Sequence, residues 1–313
     1  ARPSIADPYL PNKIRENRVE DIRECIGCNI CVSSDAFSIP LNCTQNPTIS
    51  QEWKRGWHPE IVPRAASEKN LLVAGAGPAG LEAALVLARA GHQVTVADKS
   101  TELGGRSVLE SRLFGLGAWS RVADYRLYQL RQMANVDLYT DSEIDADAVA
   151  EMEVDYTFVA TGAHWLNNGM GRTHFDPIEG FEQGSLSVDA IIKGATPDGP
   201  VVIYDDEHYY MGNVIAAHFA RLGNDVTLVT PQPYVAGWMG YTLEQPRVTK
   251  QLVELGVKVV PNAIATKWDE ALHLIDSNTG ASIDPLQGTL VPVGLRAPNL
   301  QLWASLESSE GKT

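Results

Sequence analysis

Cysteine is scarce in this chain of 313 residues: there are four, and all lie between Cys25 and Cys43. A disulfide framework spanning the molecule is thereby excluded, since most of the chain has no thiol to contribute. Basic charge is short as well. Lys and Arg number 25 against 39 Asp and Glu, for a net charge of −14. No Lys/Arg run forms the basic face that phosphate-backbone binding requires, so nucleic acid is not an expected partner. Long apolar runs are missing too. The clearest, near Ala83–Leu87 and Val201–Tyr204, fall far below the ~20 residues of a membrane-spanning helix. The N-terminal ARPSIADPYLPNK has neither an apolar h-region nor an initiator Met, which argues against a signal peptide and leaves room for an upstream segment. The cytoplasm is the expected compartment. What remains, 44% hydrophobic and 20% charged residues, is an ordinary globular composition. The length suits about two or three domains.

The four thiols are spaced C-x2-C-x2-C-x11-C at Cys25, Cys28, Cys31 and Cys43. Structural zinc commonly pairs two C-x2-C knuckles across a loop. Here three thiols follow at one period and the fourth arrives alone. That pattern points first to a [4Fe–4S] cluster, whose four iron corners each take one thiolate, with zinc and local disulfides as weaker readings. Gly27 lets the backbone approach the inorganic sulfides. A cluster is a one-electron carrier, so the chain is expected to move electrons.

A second signature runs from Asn70 to Asp98: an apolar strand, the turn Gly75-Ala-Gly77-Pro78-Ala79-Gly80, an Ala/Leu-rich helix, a Gly91 stop and a strand ending in Asp98-Lys99. The flanking elements have the type and order of a dinucleotide fold. Gly75 permits the tight turn, Gly77 leaves room for a pyrophosphate, and Gly80 allows close helix–strand packing. Amides at Pro78–Gly80 open the helix toward phosphate charge, and Asp98 is placed to accept from ribose hydroxyls. Leu103-Gly104-Gly105-Arg106 offers another close turn with a cation, and Tyr156–Val159 leads to Thr161-Gly162. The expected nucleotide-binding set is therefore Gly75, Gly77, Pro78, Ala79, Gly80, Asp98, Lys99, Gly105, Arg106, Thr161 and Gly162.

Residues 200–230 repeat the strand–turn–helix–strand pattern without its glycines. Tyr204, Asp205, Asp206 and Glu207 stand where a pyrophosphate turn belongs. Bulk blocks the approach, and the carboxylates repel phosphate. The second strand ends at Thr230, with no acid for a ribose. This half is not expected to bind NAD(P)H, and His208, Tyr209 and Tyr210 read as packing and capping residues.

Taken together, ARPSIADP-YLP, DIRECIGCNIC, NCTQNP, GWHPE, VAGAGPAGLEAA, VATGAHW and TLEQPR resemble the trimethylamine dehydrogenase family of iron–sulfur flavoproteins. That group includes dimethylamine and histamine dehydrogenases, N-demethylases and, more distantly, 2,4-dienoyl-CoA reductase. The resemblance implies an α/β fold: an Fe–S loop segment, then two Rossmann-like domains of the glutathione-reductase type, preceded by the N-terminal remnant of a (β/α)8 barrel. The implied domains are 1–66 (barrel remnant, with Ser4–Arg18 as its last helix region, and cluster segment), 67–186 plus 287–313 (ADP/FAD-type) and 187–286 (degenerate NAD(P)-type).

By the same resemblance, Cys25, Cys28, Cys31 and Cys43 are cluster ligands and the first crevice holds ADP or FAD. FMN and the amine pocket belong to a missing or partner barrel, so the catalytic residues of that barrel cannot be named from this sequence. The implied activity is oxidation of a small methylated amine, with electrons passing from FMN through the cluster to an electron-transferring flavoprotein. A homo-oligomer is also implied. An NAD(P)H-dependent enoate reductase and a non-catalytic electron-transfer or scaffold subunit are the alternatives. The family's late strand ending in Gly-Asp, which returns to the dinucleotide, has no counterpart in the sequence.

Overall fold

The computed structural model describes residues 1–55, 58 and 60–310. Gly56, Trp57 and Pro59 of the GWHPE segment, and Gly311–Thr313, lie outside the described residues. Two compact units emerge. The first comprises Ala1–Ser111, Gly117–Gly162 and Pro298–Thr313, and the second Arg112–Leu116 and Ala163–Ala297.

The first unit begins with short helices, Arg2–Ala6, Leu10–Arg15 and Ile30–Ala36, and among the described residues no strand precedes Asn70. Polar burial holds this stretch in shape. The Lys13 ammonium, 1% exposed, donates to Asp7 Oδ2 at 2.7 Å, to the Asp21 carbonyl at 2.7 Å and to Glu60. A buried ammonium ringed by acceptors is held tightly, because release from any of them exposes it to a poorly solvating interior.

Four parallel strands follow: β1 (Asn70–Ala74), β2 (Gln93–Ala97), β3 (Val136–Tyr139) and β4 (Tyr156–Val159), in the order β3-β2-β1-β4. Between β1 and β2 runs the helix Pro78–Ala90. It starts on a proline, whose missing N–H costs nothing there, and stops at Gly91 with φ of 95°. Its buried residues Leu81, Ala84, Leu85 and Ala88 recur at helical spacing and pack on Val73, Val94 and Val96 of the sheet. The helix Arg121–Leu130 adds Tyr125, Leu127 and Leu130 to the same core.

The chain's last described stretch returns to this unit without the Gly-Asp strand. Asn299 donates its backbone N–H to the Gly162 carbonyl (2.9 Å) and Nδ2 to the Thr161 carbonyl (2.8 Å). Its own carbonyl accepts from Thr161 Oγ1 at 2.8 Å, and the helix Gln301–Glu310 packs on Ala146–Glu151.

In the second unit, β5 (Ala163–Trp165) precedes β6 (Val201–Asp205), β7 (Val226–Val229) and β8 (Lys258–Val260). An antiparallel sheet of β9 (Ala263–Trp268), β10 (Leu272–Asp276) and β11 (Ser282–Leu286) comes next, then β12 (Thr289–Val293). The parallel sheet has the order β12-β6-β7-β8, the topology of the first unit repeated. The molecule is therefore α/β with two Rossmann-type parallel sheets, and no closed barrel occurs among the described residues. No helix among them is long and apolar enough to cross a membrane.

Phe181 is fully buried between the two sheets of this unit, edge-on to Tyr204 at 5.9 Å and in one cluster with Leu272, Leu274 and Leu290. Truncating it leaves a cavity that such packed surroundings refill poorly. Phe181→Ala is expected to cost about 3–5 kcal/mol in a denaturant titration.

Candidate functional site

The four cysteines come together. All are free thiols and partly buried, and with Arg2, Ile5, Ile26 and Thr44 they line one concave space that is partly open to solvent. The backbone makes this convergence possible by two left-handed residues, Gly27 at φ 73° and Asn29 at φ 55°, which turn the chain between successive thiols. Gly27 N–H donates to Cys25 Sγ at 3.4 Å and Gln45 N–H to Cys43 Sγ at 3.4 Å. Cys28 Sγ lies 3.2 Å from Thr44 Oγ1. Sulfur is thus already a hydrogen-bond acceptor at two corners.

Burial pushes the Cys31 thiol up, and charge on Cys28, Cys43 and Cys25 pushes it further. Four thiolates in one cavity would repel one another unless a cationic centre shared them. With Zn–S near 2.3 Å, tetrahedral coordination would draw the sulfurs to about 3.8 Å from one another. Among the described residues no group of three or more His, Cys, Asp or Glu is drawn together to hold a single ion. The four cysteines line one shared concave space.

Behind the thiols lies a polar framework that the sequence reading did not single out. Gln45, 1% exposed, donates Nε2 to the Glu24 carbonyl at 2.9 Å, fastening the two ends of the cysteine loop together. Arg23 donates to the Gln45 carbonyl, and Arg126 Nη1 donates to Gln45 Oε1 at 2.9 Å. Arg126 Nε in turn donates to Glu82 Oε2 at 2.7 Å. Glu82 sits in the first turns of the helix Pro78–Ala90. The signal was present as a carboxylate within the otherwise apolar GLEAALVLA run and a Gln two residues beyond the last cysteine.

The glycine turn lies at the carboxyl end of β1, where the strand order reverses between β1 and β4, the place where open α/β sheets bind ligands. Gly75 has φ of 107°, and a side chain there would run into the Ala160 carbonyl. A Cβ on Gly80 would overlap the Gly75 carbonyl oxygen, whereas a Cβ on Gly77 or Gly162 would meet nothing within 4 Å. Two of these glycines serve packing, and the other two border open space of the kind a pyrophosphate needs.

Pro78 and Ala79 are exposed at the helix start, and Gly105 packs so that an added Cβ would come within 2.9 Å of Gly77 Cα. Asp98 Oδ2 accepts from Ala76 N–H at 2.7 Å and Oδ1 from Ser100 N–H at 2.8 Å, so its carboxylate already braces the turn. Lys99 is exposed and paired with Glu143 at 3.4 Å, and Arg106 Nη1 lies 3.4 Å from Glu110. Thr161 and Gly162, at the end of β4, are clamped by Asn299.

The equivalent crevice in the second unit is closed by the chain itself. Asp206 and Glu207 N–H groups donate to the Val293 carbonyl at 2.8 and 3.0 Å, stitching β6 to β12 where the crevice would open. Glu207 Oε2 accepts from Met211 N–H at 3.0 Å, the first amide of the helix Met211–Leu222, and so takes the position of a phosphate. Asp206 accepts from Thr173 and His174 N–H at 2.9 and 3.0 Å, and His208 Nε2 lies 2.9 Å from its other oxygen. Burial disfavours its charge, but these bonds from His174, His208 and Thr173 outweigh it and hold Asp206 well below the usual carboxylate range. Asp205 Oδ1 accepts from Glu207 and His208 N–H at 3.1 Å each, while Oδ2 is buried without a partner. Burial therefore pushes Asp205 up to about 6.

Residues 69–308 match the pyridine nucleotide-disulphide oxidoreductase family. The chain is 38% identical over 270 residues to dimethylamine dehydrogenase of Hyphomicrobium sp. (strain x), an alignment covering 83% of this chain and 36% of that protein. It superposes on histamine dehydrogenase from Rhizobium sp. 4-9 with a TM-score of 0.96 and 42% identity, covering 100% of this chain and 49% of that one. A third relative, 6-hydroxypseudooxynicotine amine oxidase from Pseudomonas geniculata N1, gives a TM-score of 0.96 and 42% identity over 100% and 47% of the two chains. The chain thus spans less than half the length of each of these relatives.

The glycine geometry separates folding from binding. Gly77→Ala is expected to melt at the wild-type temperature yet lose at least tenfold in calorimetric affinity for ADP, while Gly80→Ala is expected to lower the melting temperature itself. Asp205 gives a pH signature. Its proton is bound more tightly in the folded chain than at the unfolded value of 3.8. Its contribution to stability is therefore full below about pH 4 and is lost as pH rises through about 6. Asp205→Asn abolishes that slope, so the melting temperature of the variant relative to wild type should climb from pH 4 to pH 6 and then level off.

Proposed function

This chain belongs to the pyridine nucleotide-disulphide oxidoreductase family, and we propose that it is the electron-transfer portion of an iron–sulfur flavoenzyme that oxidises a small methylated amine. The observation that carries the proposal is the convergence of Cys25, Cys28, Cys31 and Cys43 on one cavity within the unit that also carries an open dinucleotide crevice. The amine-oxidising relatives and the length they have beyond this chain support placing FMN and the substrate in a barrel outside it. When bound, FMN would supply two-electron oxidation of the C–H bond beside the amine nitrogen and a [4Fe–4S] cluster a one-electron relay, with water completing conversion of the substrate to an aldehyde and the smaller amine.

The residues of this chain have holding roles. The four cysteines take the cluster, and the amides of Gly27 and Gln45 stabilise charge on their sulfurs. Gly77, Pro78 and Ala79 face a pyrophosphate, with Gly75, Gly80 and Gly105 shaping the turn. Asp98, Lys99, Arg106, Thr161 and Gly162 border the same crevice. ADP is the favoured occupant, with FAD as the second choice. A cytoplasmic homo-oligomer delivering electrons to an electron-transferring flavoprotein completes the reading.

A reductase fed by NAD(P)H is disfavoured by one specific feature: the crevice that would receive the nicotinamide nucleotide is filled by Asp206 and Glu207. The remaining alternative, an electron-transfer or scaffold subunit without substrate chemistry, predicts a separate barrel chain in a native mass spectrum.

The purified enzyme is expected to contain four irons and four sulfides per chain together with ADP and FMN, and Cys31→Ser should lose most of the iron. Zinc in place of iron would overturn the reading. Amine should reduce the cluster within turnover and NADPH should not. Reduction of an electron-transferring flavoprotein by the amine-fed enzyme tests the partner.

A further inference from the structure

The framework behind the cysteines joins the two cofactor sites of the first unit through four side chains. Starting at the dinucleotide turn, Glu82 lies in the helix that opens at Pro78 and holds Arg126 at 2.7 Å. Arg126 reaches Gln45 Oε1 at 2.9 Å, the Gln45 carbonyl at 3.4 Å and the Val122 carbonyl at 2.8 Å. Gln45 then touches the cysteine loop at both ends, by its N–H to Cys43 Sγ and by Nε2 to the carbonyl of Glu24, next to Cys25. Arg23 shares the Gln45 carbonyl, lies 4.0 Å from Glu82 and stacks its guanidinium 4.7 Å from the Tyr125 ring centre. The side chains of Arg23 and Arg126 are 1% and 4% exposed and that of Glu82 20%.

Fixed charges in such a setting are poorly screened and cannot swing away, so they act on any change of charge at the four thiols. More exposed charges near the loop, such as the pair of Arg121 and Glu24 at 43% and 55% exposure, have less of that leverage. We infer that Glu82 and Arg126 are positioning residues that set the reduction potential of the cluster and tie the cysteine loop to the nucleotide-binding helix, Gln45 being the joint between them. This rests on the reading that Cys25, Cys28, Cys31 and Cys43 hold an iron–sulfur cluster.

Reduction adds one negative charge to the cluster. Glu82 opposes that charge and Arg126 favours it, so removing them has opposite consequences. A purely structural role would move both variants the same way, through a loosened loop.

The test is a redox titration of the full-length, iron-loaded enzyme followed by the electron paramagnetic resonance signal of the reduced cluster. At the potential that half-reduces the wild type, the ratio of reduced to oxidised cluster should rise about tenfold in Glu82→Gln. It should fall by a similar factor in Arg126→Gln and return toward wild type in Arg126→Lys. Should Arg126→Gln fail to retain iron, the direction of the Glu82→Gln shift still decides. An unchanged ratio in Glu82→Gln, or a fall, overturns the inference while leaving the cluster assignment intact. Absence of iron from the wild type overturns the cluster assignment and this inference with it.

Discussion

Four sulfurs sharing one cavity is the constraint on which the first unit is organised. Each ionised thiol raises the cost of the next, and burial of Cys31 adds to it, so the loop needs more than the amide–sulfur bonds of Gly27 and Gln45. It is held from behind. Gln45 closes the loop at its ends, two guanidinium groups bind Gln45, and a carboxylate from the dinucleotide helix binds the guanidinium of Arg126. Arg23, Arg126 and Gln45 are buried and Glu82 is partly buried, so loss of one partner would strand a guanidinium or an amide in a poorly solvating interior. The helix Pro78–Ala90 therefore presents a glycine turn toward a nucleotide at its start and a carboxylate toward the cysteine framework one turn on.

The two units share a strand order and differ in what fills the reversal point. In the first, glycines leave the space beside Gly77 and Gly162 open. In the second, the same location is closed by main-chain bonds to Val293 and by carboxylates that find their donors inside the protein. Repulsion of phosphate, which the sequence suggests, is thus only part of the matter. The amides that would have greeted a phosphate are already bonded, and a ligand would have to displace them.

Much of this was legible beforehand because the governing signals are local. The strand–turn–helix–strand order at Asn70–Asp98, its degenerate copy at Val201–Thr230 and the thiol spacing all depend on neighbours in sequence, and the structure has elements of the expected kind there. His208 and Tyr210 are buried, in line with packing rather than ligand roles. The framework of Glu82, Arg126, Gln45 and Arg23 escaped notice because its members are 22 to 81 residues apart in the pairs that matter. No periodicity brings them together. Asn299 escaped for the same reason, bonding Thr161 across 138 positions. For Asp98 the sequence suggested a ribose role, whereas the contacts present are those that brace the turn, from Ala76 and Ser100.

A nucleotide in the first crevice would act on more than its own pocket. Phosphate charge at the start of the helix Pro78–Ala90 complements the positive end of the helix and orders its first turns. Glu82 lies in those turns, so order there is passed to Arg126 and from it to Gln45 and the cysteine loop. Such a nucleotide need not undergo chemistry to matter; holding the helix still is enough to hold the loop. An ADP with no redox capacity would serve that purpose as well as FAD. The second unit, closed by its own carboxylates, needs no ligand to be rigid. A nucleotide would thus do at the start of the first unit's helix what Glu207 of the chain itself does in the second.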